Sequence, residues 1–195
     1  MAMTKKQLDL AGWCSITNAL IAIPSLAMSW FLETVKGIGP RFSQAILTVV
    51  GLGLFLYVIY SLRRLLNGRF KFYEVDIYIS LMIWGNVVLA IISLLSLGSS
   101  ELESFMEIVT VAALIVFGIL SIMFATRLLR LAGNLYGLLK AYSYTTILSG
   151  IFLVTVFLLP VAILAGAVSD VILGVIFFRA AEQTPQDEIL STPIE

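Results

Sequence analysis

The chain has 195 residues, 60% of them hydrophobic and only 12% charged, with twelve basic residues matched by twelve acidic ones and no histidine. A soluble domain carries about a quarter charged residues, so this composition, with a mean hydropathy of +1.04, excludes a water-soluble globule and puts the exterior in lipid. Zero net charge excludes a broad basic footprint for nucleic acid, and the missing histidines exclude His-ligated haem or zinc and His-based triads.

A helix needs about 20 apolar residues to cross the hydrocarbon core of a bilayer. Six runs qualify, and the predicted fold class is an all-α polytopic membrane helix bundle forming one domain over residues 1–182. The first run, 10–31, follows Lys5 and Lys6. A secretory signal also begins with a basic pair, but this run is longer than a signal core and belongs to an internal repeat. The second run is 42–62, the third 75–97 and the fourth 105–126. Residues 142–178 are too long for one span and long enough for two. Pro160 breaks a helix interior but suits a helix start, so the split gives 142–159 and 161–178; Ala165-Gly166-Ala167 is the alternative turn. Residues 183–195 read as a disordered cytoplasmic tail.

Ten of the twelve basic residues fall at the N-terminus (Lys5, Lys6), after span two (Arg63, Arg64, Arg69, Lys71), after span four (Arg127, Arg130, Lys140) and after span six (Arg179). Only Lys36 and Arg41 fall on the other side, and the loop between spans three and four carries Glu101, Glu103 and Glu107. The positive-inside rule then places both termini in the cytoplasm. Absent glycosylation sequons and the compact layout point to a bacterial inner (plasma) membrane.

The chain also repeats itself. A shift of 64 residues lays Arg63 on Arg127 and Gly85-Asn86 on Ser149-Gly150, while Asn18 and the residues after it resemble the stretch from Asn86. Three tandem two-helix hairpins follow, each with a small or polar pair midway along its first helix. The mitochondrial carriers share that plan, but their Pro-acid-base signature is missing: Pro24 precedes Ser25-Leu26-Ala27, and Pro160 precedes Val161-Ala162-Ile163. The chain is not placed in that family.

Asp170 leads the candidate site residues. It lies nine residues before Arg179, about 14 Å along a helix and hence near mid-membrane. A charge there costs about 2.5–3.5 kcal/mol, so such residues face the bundle interior. Ala162, Gly166, Asp170 and Gly174 share one small-residue face suited to close packing. The plain readings are a Ser169-Asp170 cap on a late-starting helix or interhelical glue; the functional reading is a proton or cation site. Asn18, Asn86 and Ser149, with Thr17, converge at one depth if the repeat holds, as packing polarity or as a small polar pocket.

Arg63, Arg64, Arg127, Arg130 and Arg179 read as orientation and lipid-headgroup contacts, and Arg69-Phe70-Lys71-Phe72 as an interfacial strip with its aromatics in the headgroup zone. Trp13, Trp30, Tyr57, Tyr60, Tyr73, Tyr78, Tyr142 and Tyr144 read as aromatic belts, Trp84 as packing, and Cys14 as a small buried residue.

No Walker A loop, nucleophile elbow or metal-spaced cluster occurs. The expectation is therefore a non-catalytic membrane protein, with no cofactor or metal. It acts through helix packing or partner interaction as a scaffold or accessory subunit, its partners being the bilayer and another membrane protein or itself. The alternative is a small permease or channel for a proton, cation or small solute, with Asp170 in the pathway.

Overall fold

The computed structural model describes residues 3–34, 38–96 and 100–184, with side-chain surroundings given for these except at 23, 25–41, 44 and 95–107. Lys36, the surroundings of Trp30 and Arg41, and tail residues 185–195 lie outside the described residues. Among those described, the chain is all helix and turn: α1 (Lys5–Thr34), α2 (Ile38–Arg69), α3 (Asp76–Ser96), α4 (Ser100–Leu128), α5 (Leu139–Thr155) and α6 (Leu159–Glu182), with one 3-10 turn at Leu135–Gly137.

Four stretches are long and apolar enough to cross a membrane: Ala45–Arg69, Asp76–Leu94, Ile108–Leu128 and Leu159–Glu182. Their outer faces carry large apolar side chains in the open, including Ile77, Trp84 and Ile108, each more than 60% exposed. Water would penalise such a surface, whereas hydrocarbon does not. Trp84 therefore points outward and is not the packing residue expected.

The helices run past the apolar stretches that define them. Arg63, Arg64 and Arg69 sit on α2 itself, not in a loop after it, and Glu101, Glu103 and Glu107 sit on α4. The α5–α6 turn occupies 156–158, and Pro160 lies in the first turn of α6, where a missing N–H costs nothing. Val156 takes φ 55° in that turn, an uncommon conformation for a β-branched residue.

Each helix packs antiparallel on its neighbours in sequence, and α6 closes on α1, giving a six-membered ring in which, among the described residues, helix backbones come close only between ring neighbours. Packing is closest at α1–α6 and α4–α5 and loosest at α2–α3. Small residues explain the close pairs. A Cβ on Gly118 would lie 2.7 Å from the Gly150 carbonyl oxygen, and a Cβ on Gly150 would lie 2.7 Å from that of Gly118. Gly174 meets the Gly12 carbonyl oxygen in the same way, at 3.1 Å. Exact threefold symmetry would make the three contacts between hairpins alike, and they are not.

The two ends of the ring differ. At the basic end a continuous apolar core fills the interior, with Leu8, Leu62, Ile79, Leu128, Leu135 and Ile176 all fully buried. Polar ties brace its rim. Arg63 Nε lies 3.1 Å from Asp76 Oδ1 and Asn67 Nδ2 donates to the same carboxylate, joining α2 to α3. Arg69 donates to the Tyr136 hydroxyl at 2.6 Å, and Arg179 donates to the Tyr136 carbonyl oxygen at 2.6 Å. These two contacts hold Leu135 and Tyr136 at φ 42° and 59°. Phe70 stacks edge-on against Tyr136 and Phe72 is buried, so both pack on protein rather than dipping into headgroups as the sequence suggested.

Candidate intramembrane polar site

Away from the basic end the helices line two adjoining, partly open cavities. The inner one, of about 220 Å³, is lined by Asn18, Thr146, Ser149 and Asp170 among apolar and aromatic walls. The outer one, of about 550 Å³, lies between α1, α2, α3 and α4 and includes Asn18, Thr48, Asn86 and Ser93. Asn18 and Phe55 line both and mark the passage between them.

Asp170 lies at the midpoint of the 24 residues of α6, not at its start, so it caps no helix. Asn18 Nδ2 donates to Asp170 Oδ2 at 2.7 Å, and Ser15 Oγ donates to the Asp170 carbonyl oxygen at 2.8 Å. Both bonds cross from α1 to α6, where Gly12 and Gly174 bring the backbones close enough for short side chains to reach. The second carboxylate oxygen has no donor among the described residues. Asp170 is enclosed by the helices yet remains partly accessible, because the surface it shows is cavity wall.

The other candidates divide. Ser149 lines the inner cavity, its hydroxyl donating to the Ala162 carbonyl oxygen at 2.9 Å. Asn86 lines the outer cavity and donates to the Met82 carbonyl oxygen of its own helix at 2.9 Å. Asn18, Asn86 and Ser149, which the repeat would set at one depth, thus make three different bonds. Thr17 points outward. Arg127 and Arg130 are exposed at the basic end, while Arg63 and Arg179 are engaged in the rim contacts above.

The sequence reading missed Thr146, Ser169 and Tyr142. The Thr146 and Ser169 hydroxyls are 2.7 Å apart, bridging α5 and α6. Tyr142 is 5% exposed and lines the inner cavity, so it is not a belt residue. The signal was there: 142, 146 and 149 follow helical spacing and share a face.

The described residues hold no group of three or more His, Cys, Asp or Glu able to bind a metal ion. Fold and site together define an all-helical protein, four of whose helices are long and apolar enough to cross a bilayer, closed around a cavity that ends on one carboxylate. No protein-family model, curated protein or solved structure matches the chain.

Proposed function

We propose that this protein is a small permease of a plasma membrane, moving a proton, a cation or a small cationic solute through a site centred on Asp170. In this reading all six helices span the bilayer as three tandem hairpins, and both termini lie in the cytoplasm beside the basic end. The supporting observation is the position of Asp170: mid-helix, on the wall of a partly open cavity among the helices, with one side-chain donor and no basic partner among the described residues. A carboxylate held only as glue between helices needs no cavity in front of it. Packed cores are normally filled, and a void there forfeits contacts that a scaffold has no reason to give up.

The apolar plug at the basic end closes the cavities on that side and leaves them open toward the other, as alternating access to Asp170 would require. Transport then requires α1 and α6, which carry the Asn18–Asp170 bond, to shift against the looser α2–α3 side. The test is flux in proteoliposomes loaded with a pH-sensitive dye or a cation indicator. Wild-type protein is expected to dissipate an imposed proton or monovalent-cation gradient. Asp170→Asn should retain less than a tenth of that rate while inserting and remaining monodisperse. Normal insertion with no wild-type flux of protons, cations or methylammonium would overturn the permease reading in favour of an interaction scaffold.

A further inference from the structure

We infer that the site takes an amphiphilic organic cation, an alkylammonium whose head pairs with Asp170 in the inner cavity and whose apolar tail lies in the outer one. This rests on the permease reading and narrows its substrate class.

Charge fixes the head. Neither cavity is lined by a Lys or Arg among the described residues, so the carboxylate has no internal counter-charge. An anionic ligand, including a phospholipid headgroup, meets a like charge with nothing to offset it. A bare metal cation needs several oxygen ligands to replace its water. Here Asp170 is joined, among the described lining residues, only by the neutral oxygens of Asn18, Ser121, Tyr142, Thr146, Ser149 and Ser169, with no second carboxylate to offset a bare ion's charge. The rest of the inner wall is largely apolar, with Phe55, Val58, Ile59, Met82, Phe124 and Leu173 lining it beside the hydroxyls. One carboxylate among apolar walls suits an alkylated ammonium, which sheds less water than a small hydrated ion.

Shape fixes the tail. The outer cavity is more than twice the volume of the inner one and is walled largely by Ile21, Leu47, Leu52, Leu89, Leu114 and Phe117. From Phe55, at the passage, to Thr48, seven residues of α2 span about 10 Å, the length of an octyl chain. On that face of α2 sits Gly51, which lines the outer cavity and has nothing within 4 Å of the place a Cβ would occupy. A side chain there starts in open space on the cavity wall, so a large one offers a plug at a position apart from Asp170.

The experiment uses the full chain in nanodiscs, titrated calorimetrically with octylammonium, octanol, octanoate and methylammonium, with empty nanodiscs subtracted. Octylammonium is expected to saturate at one per chain, and octanol and octanoate to bind at least tenfold more weakly. Asp170→Asn should weaken octylammonium at least tenfold. Gly51→Phe should weaken octylammonium at least tenfold and leave methylammonium unchanged; an unaltered thermal midpoint verifies its fold. Octanol or octanoate binding as tightly as octylammonium would overturn the inference, as would a Gly51→Phe protein that binds octylammonium normally. If methylammonium binds as well as octylammonium and its flux still depends on Asp170, the tail assignment falls and the permease reading stands. If neither binding nor flux of any probe responds to Asp170→Asn, both fall.

Discussion

Asn18 and Asp170 lie 152 positions apart in sequence and 2.7 Å apart in space, and each supplies what the other lacks. The amide brings a donor to a carboxylate that lipid would leave bare, and the carboxylate gives a buried amide an acceptor. Interhelical hydrogen bonds in membranes average about 0.6 kcal/mol and reach about 1.7 kcal/mol; the short, charge-assisted geometry here belongs at the upper end. A double-mutant cycle of Asn18→Ala and Asp170→Ala, followed by thermal unfolding in detergent, should therefore give a coupling of about 1.5 kcal/mol. Coupling near zero would mean that the two side chains do not meet. Helical spacing alone put Asp170 midway along its helix and on a small-residue face, and α6 carries it there. The spacing did not foretell which amide would reach Asp170. Asn18 and Asn86 look equivalent along the chain, and only the ring closure of α6 on α1 sets them apart.

Glycine plays opposite parts at two places among the helices. Gly118 and Gly150 let α4 and α5 touch backbone to backbone, so a methyl group at Gly118 must drive the pair apart. Gly118→Ala should cost about 1–3 kcal/mol, the usual range for overpacking, seen as a lower unfolding midpoint. Gly51 faces open space. Gly51→Ala should leave stability unchanged or raise it by up to about 1 kcal/mol of helix propensity, seen as an unchanged or higher unfolding midpoint. Equal effects at the two positions would contradict the packing described. The α2–α3 contact, the loosest in the ring, relies on Asp76, which receives Arg63 and Asn67 together. Its side chain is about a quarter exposed, so solvent screens the pair, and Asp76→Ala should cost only about 1 kcal/mol. The long apolar runs were legible because each lipid-embedded segment must satisfy its own backbone groups. The ends were not, since the helices continue into water and headgroups on other contacts. Buried Leu65 and Leu66 carry α2 beyond the point where hydropathy stops marking it.

A closed ring of six antiparallel helices filled at one end and hollow toward the other is polar in the geometric sense, and the proposed orientation in a membrane follows that polarity. The filled end collects Lys5, Lys6, Arg63, Arg64, Arg127, Arg130 and Arg179. Under the proposed orientation, with these basic residues on the cytoplasmic side as the positive-inside rule has it, the hollow side opens away from the cytoplasm. The turn between α5 and α6 belongs to that side, and its Phe157 is 97% exposed. Cys14 is the one cysteine of the chain, so a Cys14→Ala background permits single-site labelling. In intact cells a membrane-impermeant maleimide should modify Phe157→Cys, and should reach Lys5→Cys and Gln183→Cys only after permeabilisation. A five-span arrangement predicts a different pattern, with Gln183→Cys labelled from outside while Lys5→Cys stays protected. Labelling of all three from outside would remove the bilayer from the account, because no impermeant reagent reaches both ends of a ring that crosses it.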